Sequence, residues 1–241
     1  MKIINNEKLI KRNQRIAKYA MNGTFVLLIA YTALFIFSFN KPNLMMWSLV
    51  AVLPALILSQ VAGYYGARFG RSPRPDEEIV QALKGLDDKY CLYNYSTPVS
   101  HLLVGPPGVW VVLPYYQNGT IRYDEKRKRW IQSGGSTFMK IFGQGGLGRP
   151  DMEIRVAIED MTKFLKNNLN EIDLPAVKAA LIFTSEKAIV EAANAPVPTL
   201  HASKFKDFIR RKAKEEPAPT EAIRLLQKEL PSGKETQDNR N

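Results

Sequence analysis

The chain has 241 residues, one cysteine, two histidines and a formal net charge of +11. A single thiol excludes an internal disulfide framework and a structural zinc cluster, and two histidines exclude a histidine-rich metal centre. The positive charge is concentrated: residues 1–20 hold six cations against Glu7 alone, whereas residues 75–241 hold 24 basic and 22 acidic side chains.

Residues 1–22 read as a basic cytoplasmic segment. Leu9, Ile16 and Tyr19 stand among its cations, which fits either an interfacial helix drawn to anionic lipid or a plain solvated flank. Gly23–Phe39 then runs 17 residues without a charge, and Pro42–Ala67 runs 26. A membrane span needs about 20 mostly apolar residues, so the first run is at the short limit, at about 26 Å, and the second is ample. Spans are expected at about 23–39 and 43–66, a transmembrane hairpin over 23–67, with a kink at Pro54. Two uncharged runs in tandem leave no polar face for a soluble core. A cleaved signal peptide is a poor match, because the apolar run follows a 22-residue basic lead and is succeeded by a second. Arg68, Arg71 and Arg74 follow the second run, and the connecting turn holds only Lys41. The excess of cations at the outer ends predicts a multi-pass protein of a bacterial-type plasma membrane with both termini cytoplasmic.

Residues 68–75 read as a linker and residues 76–214 as an α/β domain. Ile79, Leu83 and Leu86 recur at helical spacing behind Asp76, Glu77 and Glu78, acids that complement a helix N-terminus. Tyr90–Ser96 predicts a strand, and two more flank the turn Gly105–Gly108. A further hairpin joins Thr120–Asp124 to Arg129–Gln132 across a charged tip. The glycine-rich stretch 134–150 predicts an irregular loop and fits neither a P-loop nor a dinucleotide fingerprint, so no organic cofactor is expected. Ile154, Ile158, Met161, Leu165 and Leu169 mark a helix, Ala179–Phe183 a buried strand and Ala195–Ala202 a short edge strand. A helix follows from Ser203, another lies within 215–230, and 231–241 is polar enough to be disordered. The domain is thus a mixed sheet with helices packed against it.

The stretch Ser100–Gly119, "SHLLVGPPGVWVVLPYYQNG", together with the leading helix "DEEIVQALKGL", the following "GTI" and Trp130, resembles the nuclease-related domain family of the restriction-endonuclease-like fold. The resemblance spans about residues 75–212, and its specific part is "HLLVGPPGVWVV". It implies a strand carrying an Asp next to a His, then a strand ending in Glu-x-Lys. Here Ser100 stands for the Asp, Leu113 for the Glu and Tyr115 for the Lys, and of those motifs His101 and the glycine scaffold remain.

Nucleases of this fold use Mg²⁺, a hard ion that needs oxygen ligands, carboxylates among them, and that generates the attacking hydroxide. A serine hydroxyl is a poor substitute, leucine supplies no ligand, and a tyrosine brings no positive charge to a phosphate. Removing one electrostatic group typically costs about 100- to 1,000-fold in rate. The expectation is a degenerate nuclease fold without a metal, with Mg²⁺ entering only if Glu77, Glu78 or other relocated acids serve with His101. His101 alternates away from Ser100 along the strand and also fits a buried, hydrogen-bonded histidine. Lys126, Arg127, Lys128 and Arg129, with Trp130 and Tyr116, form a candidate binding patch for nucleic acid or a protein partner. The other expected partner is the lipid bilayer.

Overall fold

The computed structural model describes residues 1–39, 41–134, 146–168 and 175–231. The glycine-rich stretch lies largely outside them, and so do Leu169 and nearly all of the tail expected at 231–241. The chain divides into two compact units, Glu7–Arg74 and a second made of Met1–Asn6 with everything from Pro75 onward.

The helical unit begins with α1, Glu7–Ser38, a single helix of 32 residues, about 48 Å long at 1.5 Å per residue. The residues expected as one basic segment, 1–22, therefore divide. Lys2–Asn5 forms strand β1, and the helix starts at Glu7 rather than Gly23. Nothing between Lys8 and Met21 breaks a helix, and Lys, Arg, Gln and Ala are strong helix formers. Among the described residues α1 is the one helix long and apolar enough to cross a membrane, and almost none of its apolar stretch is buried.

The second apolar run forms α2, Pro42–Tyr65, which keeps Pro54 inside it and continues into a π-helical turn, Gly66–Gly70. The two helices pack antiparallel. A Cβ placed on Gly23 would lie 2.8 Å from Leu58 Cδ2, and one on Gly70 would lie 3.5 Å from Ala17 Cβ. Buried Ala17, Ala20 and Ala55 allow the same close approach.

The α/β unit is built on a mixed six-stranded sheet ordered β1-β2-β3-β4-β7-β9. Its strands are β1, β2 (Cys91–Asn94), β3 (His101–Gly105), β4 (Gly108–Tyr115), β7 (Val177–Phe183) and β9 (Thr199–His201). β2, β3 and β4 are antiparallel neighbours, while β1 lies parallel to β2, and β7 parallel to both β4 and β9. A second sheet of β6-β5-β8 pairs β5 (Gly119–Asp124) with β6 (Arg129–Ser133) and β8 (Ala188–Glu191). β1 and β8 are strands the pattern does not predict. Each is four residues long, too short for an alternation to emerge.

Side chains alternate across the main sheet and fill two cores. Val109 and Val111 of β4, with Leu102, Leu181 and Phe183, pack under α4 (Pro150–Asn168) and α6 (Thr220–Glu229) through Ile154, Met161, Leu165, Ile223 and Leu226. Trp110 and Val112, with Leu92, Leu103 and Ile182, pack on the other face under α3 (Pro75–Ala82) and α5 (Ala202–Glu215) through Ile79, Phe205 and Ile209. Burial on both faces explains why β3 and β4 carry no charge. The last helix, expected outside the domain, contributes to the same core through Ile223 and Leu226.

Candidate functional site

The β3–β4 register pairs Leu102 with Val111, and carried one step outward it sets Ser100 opposite Leu113. Leu113 and Tyr115 follow Val109 and Val111 on the α4 side of the sheet. The three positions of the expected motif thus share one face. Ser100 is exposed and uses its carbonyl to accept the Tyr95 N–H at 2.8 Å. Leu113 packs against the apolar core. Tyr115 is buried, stacks on Phe183 at 5.4 Å between ring centroids, and donates its hydroxyl to Glu153 Oε2 at 2.7 Å.

Glu153 is a carboxylate that the sequence pattern does not single out. At the start of α4 it reads as an acid complementing the helix dipole. Only the packing of α4 across β4 brings it to the position where the family resemblance implies a lysine. The other relocated acids go elsewhere. Asp76, buried at the start of α3, belongs to the opposite face, and Glu77 and Glu78 share that helix. Asp124 accepts the Arg127 N–H at 3.1 Å, and Glu125 accepts from Asn194 Nδ2 at 2.8 Å. Among the described residues no three His, Cys, Asp or Glu side chains gather where they would hold a metal ion.

On the α3 side the sheet carries a polar row. Asn5, Asn94 and His101 are successive cross-strand partners on β1, β2 and β3. His101 Nδ1–H donates to Asn94 Oδ1 at 2.9 Å, and Asn94 Nδ2 donates to Asn5 Oδ1 at 2.9 Å. The Tyr95 ring meets His101 edge-on at 5.0 Å, held there by a left-handed backbone at φ 56°. Burial pushes the His101 pKa down from 6.5 to about 4, against the opposing pull of the Asp76 carboxylate. The ring is therefore neutral at physiological pH and unsuited to donate a proton. This is the buried, hydrogen-bonded histidine that alternation allows.

The candidate binding patch is only partly a surface. Lys126, Arg127, Lys128 and Arg129 are exposed at the β5–β6 tip, and Tyr116 is half-buried. Trp130, by contrast, is buried, donates its indole N–H to Thr199 Oγ1 at 3.0 Å and meets Tyr123 edge-on. It belongs to the core, so the tip has cations without that aromatic platform. His201 caps α5, its Nδ1 accepting from the Ser203 N–H at 3.3 Å while Nε2–H donates to the Ser185 carbonyl at 3.1 Å.

Comparison of the chain with protein-family models, with curated proteins and with solved structures finds no match.

Proposed function

We propose that the protein is a membrane-anchored, nuclease-related domain without nuclease activity, acting as a binding or scaffolding module at the cytoplasmic face. The observation that carries this reading is the filling of the motif face. Leu113 packs into the core, and the Tyr115 hydroxyl is engaged by Glu153. An apolar side chain and a phenol–carboxylate hydrogen bond occupy the positions where metal-assisted hydrolysis needs ligands and a cation.

The anchor rests on α1 and on one topological requirement. β1 precedes α1 in sequence and β2 follows α2, yet they are parallel neighbours in one sheet. A chain whose α1 crosses a bilayer must therefore cross back before β2. α2, with 24 residues, is long enough to do so at about 36 Å. Cations before α1 and after α2 then favour cytoplasmic placement for both termini.

The test is cleavage of single- and double-stranded DNA and RNA by the full chain in detergent with Mg²⁺ or Mn²⁺. No metal-dependent cleavage is expected. Cleavage that disappears in Glu153→Gln or Glu77→Gln would overturn the reading in favour of a nuclease with relocated carboxylates.

A further inference from the structure

The first third of α1 carries two opposed faces. Ile10, Asn13, Ala17 and Ala20 are buried, with the π-helical turn packed beside Ala17. Lys8, Lys11, Arg12, Arg15 and Lys18 are all exposed. At 100° per residue these five fall within an arc of about 120° opposite the buried stripe. No Asp or Glu occurs between Lys8 and Ser38, and no Lys or Arg between Tyr19 and Ser38.

The helix is continuous, so its length divides at a definite place. The 20 residues Tyr19–Ser38 match about 30 Å of hydrocarbon. The 12 residues Glu7–Lys18 add about 18 Å beyond it, more than one headgroup layer. The antiparallel packing brings Tyr64 near the level of Tyr19, and both rings are exposed, as side chains with an apolar body and polar tip are at a membrane interface. Arg68 stacks over the Tyr64 ring at 4.0 Å and adds a sixth exposed cation at this level from the other helix.

We infer that this cationic face of α1, with Arg68 at the same level on the other helix, is a binding surface for anionic phospholipid headgroups in the leaflet from which the chain enters the bilayer. The inference rests on the membrane reading of α1 and adds to it a lipid selectivity. Five cations on one face, directly continuous with an uncharged 20-residue stretch, place Arg15 and Lys18 at the depth of the lipid phosphates and Lys8, Lys11 and Arg12 just outside it, within reach of the anionic surface. Guanidinium pairs with phosphate in bidentate geometry, and the lysine stems cover apolar surface while their ammonium groups reach outward. The β5–β6 tip offers four cations beside Asp124 and Glu125 and does not continue into an apolar helix, and serves as the comparison.

The test uses the full chain reconstituted in vesicles of phosphatidylcholine containing one-fifth phosphatidylglycerol. Spin-labelled forms of each lipid report the motionally restricted shell around the protein. At low salt the anionic label should be preferred several-fold over the zwitterionic one, and the preference should collapse at 0.5 M salt. The combined change Lys8→Gln, Lys11→Gln, Arg12→Gln, Arg15→Gln and Lys18→Gln should abolish the preference, and each substitution alone should lower it by a fraction of the whole. Neutralising residues 126–129 should leave it unchanged. Equal restriction of both labels by the unmodified chain overturns the inference, as does loss of preference on neutralising the tip alone. If the chain is removed from the vesicles by alkaline carbonate and no restricted lipid of either kind appears, the membrane reading fails and takes the lipid surface with it.

Discussion

The polar row makes acid stability depend on one histidine. His101 is only 2% exposed and titrates near 4 in the fold against 6.5 when unburied. The unfolded chain therefore takes up the proton first as pH falls. The stabilisation of the neutral ring is fully present above pH 6.5 and is lost progressively down to about pH 4. A displacement of that size corresponds to about 3 kcal/mol, a large share of the roughly 5–15 kcal/mol that holds a domain folded. The perturbation is His101→Asn, whose amide N–H takes the place of Nδ1–H toward Asn94 Oδ1 but does not titrate. Urea unfolding of the full chain in detergent, followed by the fluorescence of buried Trp110 and Trp130, measures both proteins between pH 7 and pH 4. The natural protein should lose about 3 kcal/mol more than the variant across this interval. Parallel pH curves would refute the reasoning and mean that the fold leaves the His101 pKa near its ordinary 6.5. Glu216 acts in a separate window. Its carboxyl is held down to about 2 by Lys178 foremost and by Lys212, so its contribution is present above pH 4.5 and lost toward pH 2.

Three substitutions probe other parts of the unit. Gly105→Ala sets a Cβ 2.6 Å from Cδ1 of the buried Tyr90 ring, and should lower stability by about 1–3 kcal/mol in the same urea assay. Lys128→Gly relieves a left-handed residue at φ 50° on the exposed hairpin tip, and should raise stability by about 1 kcal/mol, seen as a higher urea midpoint. Tyr115→Phe keeps the stack on Phe183 but removes the hydroxyl from Glu153. Because Glu153 is exposed, water replaces the lost donor, and a decrease of only about 1 kcal/mol is expected in thermal unfolding.

The central strands were legible because burial on both faces leaves a recognisable apolar run, as in "HLLVG" and "GVWVV". The facing of His101 away from Ser100 also followed, since alternation is strict in a strand. What the chain hid has physical causes. β1 is two isoleucines between a lysine and an asparagine, and it becomes a strand only because β2 offers an edge 86 residues later, as the amide of Lys2 bonded to the carbonyl of Tyr90 attests. The apolar run from Gly23 is visible by composition, but the start of α1 is set by where β1 ends. Trp130 looked like part of a basic surface because sequence proximity to Arg129 says nothing about facing. Register sends Trp130 inward with Tyr123, its cross-strand partner. Glu153 needed the packing of α4 across β4, a long-range relation that no local pattern carries.

The pairing of β1 with β2 also orders events in time. Residues 2–5 leave the ribosome before their partners at 91–94, which follow roughly 4–17 seconds later at 5–20 residues per second. Until then β1 has no ladder, and the outer edge of β2 stays open once it appears. The sheet is therefore closed by earlier-made residues joining much later ones. On the membrane reading, that closure is possible only for a molecule whose helices have brought the chain back to its starting side. A misinserted chain would lack Asn5 beside Asn94, leaving a buried amide donor without its partner and an exposed strand edge.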